Sequence, residues 1–243
     1  MSWLEHPIIP MTDLNTGKQI LALLQFADSF FPTGGFSQSY GLETYVQHKL
    51  VDGGDSLRRF MATYIDHVLG YEDGLAVSLG WKAATAEDYP ALLQIDRILS
   101  ATKLARESRM ASIKTGCRML RTVCALLDEP VLCEYLKLVE TSLGNGHHAV
   151  VFGIVGSRAG LSLEQTLLGY LYNAIAVMVN NGVRLIPLGQ QEGQRILWDL
   201  APSLYRLAAE IQERTLDDLG STAPALEIRA MYHERLYTRL FMS

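Results

Sequence analysis

Two short stretches carry residue types that could do chemistry. Gly35-Phe36-Ser37-Gln38-Ser39 is close to the Gly-x-Ser-x-Gly elbow that exposes a nucleophilic serine, with Ser39 in place of the last glycine. With Asp28 as an acid, the Ser37/Ser39 loop would belong to a small hydrolase. Such an elbow needs a strand-to-helix turn on a sheet, and no sheet is legible here. Gly144-Asn145-Gly146-His147-His148-Ala149 fits a relaxed dinucleotide fingerprint, with Glu164 at a suitable distance. That fingerprint also needs a preceding strand, whereas residues 130–143 read as helix. A phosphate-binding loop is missing. Gly17-Lys18 has Thr12 where the upstream glycine belongs and Gln19 where Ser or Thr should follow.

The six histidines invite a metal test. His147 and His148 are adjacent, so on a helix they point about 100° apart and do not share an ion readily. His233-Glu234 lacks the second histidine of a zinc helix. Cys117 and Cys124 share a helix face within an apolar seam of Met110, Ile113, Cys117, Leu120, Cys124 and Leu127, where cysteine acts as a small hydrophobe. Local spacing therefore builds no mononuclear site. A long-range site using His148 or His233 stays open.

Three further patterns suggest contact surfaces. Lys114, Arg118 and Arg121, with Lys103, Arg106 and Arg109 upstream, line one edge of the seam helix. They form either a solvated face or a dock for an acidic partner. Gln190-Gln191-Glu192-Gly193-Gln194-Arg195 is either a polar helix start or a contact surface. Leu226, Ile228, Met231, Leu236, Leu240 and Phe241 make the last segment too apolar for a free tail. They should be buried against the body or a partner.

The elements that position these residues are helical almost throughout. Apolar spacing gives a helix from Ile20 to the Pro32 break and a short one from Gly41 to Leu50. Asp55 is placed to cap a helix carrying Leu57, Phe60, Met61, Tyr64, Ile65, Val68 and Leu69, interrupted at Gly70 and Gly74. Asp88 and Pro90 open another helix, and Asp128 and Pro130 the one after the seam. Residues 149–155 suit a strand or a tightly packed helix, and small residues at 153, 156 and 160 favour the helix. Ser162 and Gln165 form a capping box for a helix closed by Asn181-Gly182. Segments 191–200 and 203–219 follow. The expected organisation is an all-α single-domain bundle: a flexible leader (1–18), a helical domain (19–219), then a linker and partner-binding tail (220–243).

Bulk properties bound the class. The chain has 243 residues, 49% hydrophobic and only 19% charged, enough for one large core and suggestive of surface hidden in a partner or a second copy. A net charge of −5 argues against general nucleic-acid binding. Three cysteines without a Cys-x-x-Cys pair fit a reducing, cytoplasmic setting. No signal peptide or membrane span is legible.

Four stretches, in order, resemble the UreF family of urease accessory proteins. They are Leu24 to Glu43, with its Asp-Ser-x-x-Pro-x-Gly core; His148-Ala149-Val150-Val151-Phe152-Gly153; Ile186-Pro187-Leu188-Gly189-Gln190 with Gly193-Gln194; and Pro224 through His233-Glu234 to Arg239-Leu240-Phe241 and Ser243. The resemblance implies an all-α protein without catalysis or cofactor of its own. It implies a dimer that binds UreD (also called UreH), recruits the GTPase UreG, and serves nickel delivery to apo-urease. Carried over by position, Phe36 and Arg239 match the UreG-recruiting surface. Ser37, Gln38, Ser39, Glu43, Gln190, Gly193, Gln194, His233, Leu240 and Phe241 complete the expected partner-binding set. Gln38 stands where many members have histidine. The tail is expected to order when a partner binds. The alternative is a nickel carrier that uses its own histidines.

Overall fold

In a computed structural model, the described residues are 11–28 and 30–243, and they form helices joined by short turns with no strand among them. Side chains of residues 11–15 and of Phe36 also lie outside the described residues, as does most of the expected leader. The first helix, α1, spans Met11–Ala27 and so starts earlier than the apolar spacing suggests. A turn at Gly35–Ser37 leads into α2 (Leu42–Gln47). Gly41 enters α2 at φ 86°, and a Cβ there would lie 3.3 Å from the Ala230 backbone. Glycine answers both demands.

Next comes α3 (Gly54–Thr63), capped by Gly53 rather than Asp55. The expected break at Gly70 and Gly74 does not occur. The chain continues through a wide π-helical stretch, Tyr64–Asp73, directly into α4 (Gly74–Thr85). These glycines serve close packing instead: a Cβ at Gly74 would lie 2.8 Å from Ile211 Cδ1, and one at Gly70 3.3 Å from Leu207 Cδ1. Asp88 caps α5 (Tyr89–Thr102) by accepting from Ala91 N–H at 3.0 Å, as expected.

The seam helix α6 (Arg106–Leu127) is present, but it is rotated from its expected face. Its buried residues are Ala111, Ser112, Thr115, Gly116, Met119, Leu120 and Val123, while Met110 and Leu127 are exposed. The cause is Gly116, where a Cβ would lie 2.6 Å from His148 N and 2.7 Å from His147 C. Close backbone approach outranks the heptad-like pattern here. Two helices follow, α7 (Pro130–Glu140) and α8 (His148–Arg158). The choice of helix over strand at 149–155 holds.

The centre of the bundle is the crossing of α4 and α8. A Cβ at Gly80 would lie 3.1 Å from Val150 O, and one at Gly153 2.8 Å from Trp81 N. Around it pack Val77, Phe152, Ile154 and Leu171. α9 (Leu163–Leu185) opens with the expected Ser162–Gln165 capping box but runs past Asn181-Gly182. Gly182 sits under Leu57 and Asn181 is buried, so the pair packs rather than terminates. The two segments expected after it form one helix, α10 (Gln190–Glu213), with Pro202 inside it. The linker is strapped to the body: Gly220 N–H donates to Tyr71 O at 3.0 Å and Thr222 Oγ1 to His67 O at 3.0 Å. The last helix is α11 (Pro224–Tyr232).

Gly153→Val should lower stability by about 2–4 kcal/mol, because the side chain meets main chain that cannot yield. Gly220→Ala, with nothing within 4 Å of its Cβ, should change it by less than about 0.5 kcal/mol. Urea unfolding of both variants checks this.

Candidate functional site

The tail returns to the loop that precedes α2, and one carboxylate receives it. Glu43, buried in the first turn of α2, accepts Leu240 N–H on Oε1 at 2.7 Å. Its Oε2 accepts Phe241 N–H at 3.1 Å and lies 3.1 Å from His233 Nε2. His233 is fully buried, and its Nδ1 lies 2.6 Å from Glu107 Oε2. Glu107 Oε1 in turn accepts from Arg239 Nη1 at 2.8 Å. The order is Glu43, His233, Glu107, Arg239, alternating acid and base. Both ring nitrogens of His233 face carboxylates, an arrangement in which an imidazolium donates on both sides and a neutral ring on one.

The backbone completes the latch. Met242 N–H donates to Ser37 O at 2.9 Å, and Ser39 N–H to Ser243 O at 2.8 Å. Ser39 Oγ also donates to that oxygen. Gln47 Nε2 donates to Thr238 O at 2.7 Å. Phe241 is buried with the Arg184 guanidinium 5.2 Å from its ring centre, while Tyr237, Leu240 and Met242 face outward. Gln38 is buried too. Its carbonyl accepts from Asn181 Nδ2 at 2.7 Å and its side chain donates to Ser37 Oγ at 3.2 Å.

The structure thus gathers Ser37, Gln38, Ser39, Glu43, His233, Arg239, Leu240 and Phe241 into one cluster. Phe36 joins the turn by its backbone. Gln190, Gly193 and Gln194 stand apart, on a polar groove of about 300 Å³ shared with Asn173, Asn180 and Asn181. Asn181 links the groove to the latch. Glu107 and Arg184 are unmarked in the sequence, and Asn181 reads there only as part of a helix stop. All three lie far from the loop and tail along the chain.

Beside the latch lies a second polar group that sequence missed. Lys103, counted above in a basic stripe, is buried, with Nζ 3.0 Å from Asp73 Oδ2 and 3.4 Å from Glu72 Oε2. Burial pushes the Glu72 carboxyl up to about 7, and Lys103 works against that rise. Asp73 Oδ1 finds no hydrogen-bond partner among the described residues. It lines a cavity of about 50 Å³ with Tyr40, Tyr64, Tyr170 and His148, room for one or two waters.

His147 and His148 serve the fold. The ring of His147 is buried between Ser100 Oγ (2.7 Å) and Ser112 Oγ (3.0 Å), and its backbone N–H donates to Asp96 Oδ1 at 2.9 Å. His148 packs on Phe152 and Tyr170. Burial lowers the two rings to about 3 and about 4 respectively. Among the described residues no group of three or more His, Cys, Asp or Glu is arranged to hold a metal ion. The serine elbow and the dinucleotide fingerprint both lack their strand among the described residues, since Ser37 lies between helices and α7 precedes Gly144.

Two outcomes are expected. Glu43→Ala removes the acceptor of two tail amides and exposes His233 to one carboxylate only. Hydrogen-exchange protection at Leu240 and Phe241 should fall by about 3 kcal/mol, whereas Leu240→Ala leaves Phe241 protected. Below pH 6.5 unfolding lets the buried neutral His147 and His148 take up protons, so stability is greatest above pH 6.5 and that share is lost as pH falls toward 4. Glu72 acts with the opposite sign, its share being lost as pH rises from 4.5 to 7. Unfolding free energy of His148→Phe, measured against wild type across this range, should lose about 1 kcal/mol per pH unit less below pH 6.5.

Comparison with known proteins places the chain in a family. The UreF family model matches residues 51–201. The urease accessory protein UreF of Bacillus sp. (strain TB-90) is 38% identical over 226 residues, covering 93% of this chain and all of that one. Its counterpart in Actinobacillus pleuropneumoniae serotype 5b (strain L20) is 39% identical over 225 residues, 93% of this chain and 99% of that protein. The Haemophilus influenzae (strain PittGG) protein is 39% identical over 222 residues, 91% and 94% of the two chains. This helical chain, with its tail latched at Glu43, belongs to the UreF family of urease accessory proteins.

Proposed function

We propose that this chain is a non-catalytic scaffold of urease maturation that bridges UreD and the GTPase UreG, as a homodimer in the cytoplasm, so that nickel enters apo-urease with GTP hydrolysis. The observation that carries this reading is the latch. It fixes Arg239 by Glu107 and buries Phe241, so that Leu240 between them and Tyr237 and Met242 on either side face outward on a defined backbone. Exposed apolar side chains on a fixed backbone are what a partner can bury at little ordering cost. The Gln190 and Gln194 side chains stand exposed on the groove joined to the latch by Asn181, and they extend the same partner surface. Nickel is cargo in this reading, not a resident cofactor. A nickel carrier built on this chain's histidines gains no support from His147, His148 or His233, each engaged in contacts of the fold.

The test is capture of UreD, then of UreD with UreG, by immobilised wild type, Arg239→Ala and Glu43→Ala. Wild type should hold both partners. The variants should keep UreD and bind UreG at least about tenfold more weakly. A wild type that captures neither partner sinks the proposal, and variants that capture UreG as well as wild type remove the latch from it.

A further inference from the structure

A second surface carries its own chemistry. A groove of about 560 Å³ runs between α2 and α3 on one side and the linker and α11 on the other. Its floor is apolar. Tyr45 and Phe60 meet edge to face at 4.8 Å, flanked by Leu50, Val51 and Leu226. Its walls carry Arg59, Arg229 and His67, and none of the described residues lining it bears a carboxylate. The Arg229 guanidinium lies 4.9 Å from the Tyr45 ring centre, and its Nε is buried without a hydrogen-bond partner among the described residues. Among the described residues neither Arg59 nor Arg229 makes an ion pair, whereas Arg58, next in sequence, pairs with both Asp55 and Asp199. In a chain of net charge −5, a groove that sets two arginines over an aromatic floor with no carboxylate among its described lining residues is locally positive. None of the latch residues lines this groove.

We infer that this groove docks an acidic segment of a partner protein, an amphipathic stretch that seats an aliphatic or aromatic anchor on Tyr45 and Phe60 and sets carboxylates on Arg59 and Arg229. The floor supplies apolar burial. The guanidinium groups supply bidentate recognition of carboxylate, with the Tyr45 face holding Arg229 in place. Opposite charge fixes the orientation of the segment and speeds its arrival. This assignment does not rest on the UreD and UreG reading, because it concerns a different surface.

The experiment titrates full-length protein into a fluorescein-labelled peptide of about twelve residues, with leucine and phenylalanine one helical turn apart and glutamates between them. A matched peptide carries lysine in place of each glutamate. The expected result is saturable binding of the acidic peptide only, weakened as salt rises, and about tenfold weaker for Arg59→Glu. Arg59 is exposed, so that substitution spares the fold, and a matching melting curve confirms it. Arg229→Gln, which keeps much of the side chain over Tyr45, should weaken binding as well. Equal binding of both peptides, no binding of either, or unchanged affinity in Arg59→Glu overturns the inference. So does sedimentation showing that Arg59→Glu dissolves a self-assembly, which would give the groove to a second copy. Capture of phosphatidylglycerol vesicles in place of the peptide would overturn it as well.

Discussion

The Glu43 carboxylate sits in the first turn of a six-residue helix and is 3% exposed. An ionised carboxyl in that position is tolerable only if every lone pair finds a donor. Among the described residues, the helices before the linker supply no donor to it. The tail does, through the Leu240 and Phe241 amides and the His233 ring. The dependence runs both ways. Without Glu43 the Phe241 amide would be buried unpaired, and without the tail Glu43 would lose the donors to both of its oxygens. A segment bound in this way is not held by hydrophobic area alone. It is specified in register, because a shift by one residue would present the wrong amides to both oxygens.

The same logic explains why polar groups are buried elsewhere in a chain that could have filled its core with leucine. Lys103, Asp73 and Glu72 are costly to desolvate, and Asp73 keeps one oxygen unsatisfied by the described residues. Apolar residues of similar size would often be as stable or more so. What this buried cluster adds is a polar tie between the stretch before α4 and the end of α5. The wide-turned stretch before α4 ends at this cluster, and the end of α5 delivers Lys103 to it.

What the sequence disclosed follows from the range of each interaction. Capping is local, so Asp88 and the Ser162–Gln165 box were legible and are present. Helix type at 149–155 was legible from small residues at packing distance. Glycine misled in both directions. Gly70, Gly74 and Gly182 look like stops, yet each makes room for a neighbour across the bundle. The face of α6 was misread because its orientation is set by Gly116 against the 146–148 backbone, a contact between residues about thirty apart that no period of 3.6 encodes. In the site, the loop and tail were legible as unusual segments. Their meeting at Glu43 and Glu107 was not, since nothing along the chain joins position 43 to position 241.

The segment joining α5 to α6 is where these separate devices converge. Lys103 points inward to Asp73 and Glu72. Two residues on, Ala105 N–H donates to Glu227 at 2.9 Å and anchors α11. Two further, Glu107 holds His233 and Arg239. Two more, Arg109 closes back on Lys103 O at 2.7 Å. A displacement of this segment therefore disturbs the buried ion cluster, the α11 anchor and the tail latch together, since each bond has one partner on it. Energetic coupling requires such a shared element with its own geometry, not mere proximity. The tail is therefore tied to this segment as well as to Glu43. Two of its clamps, at Glu227 and at Glu107, are fixed to the same turn that carries the buried Lys103.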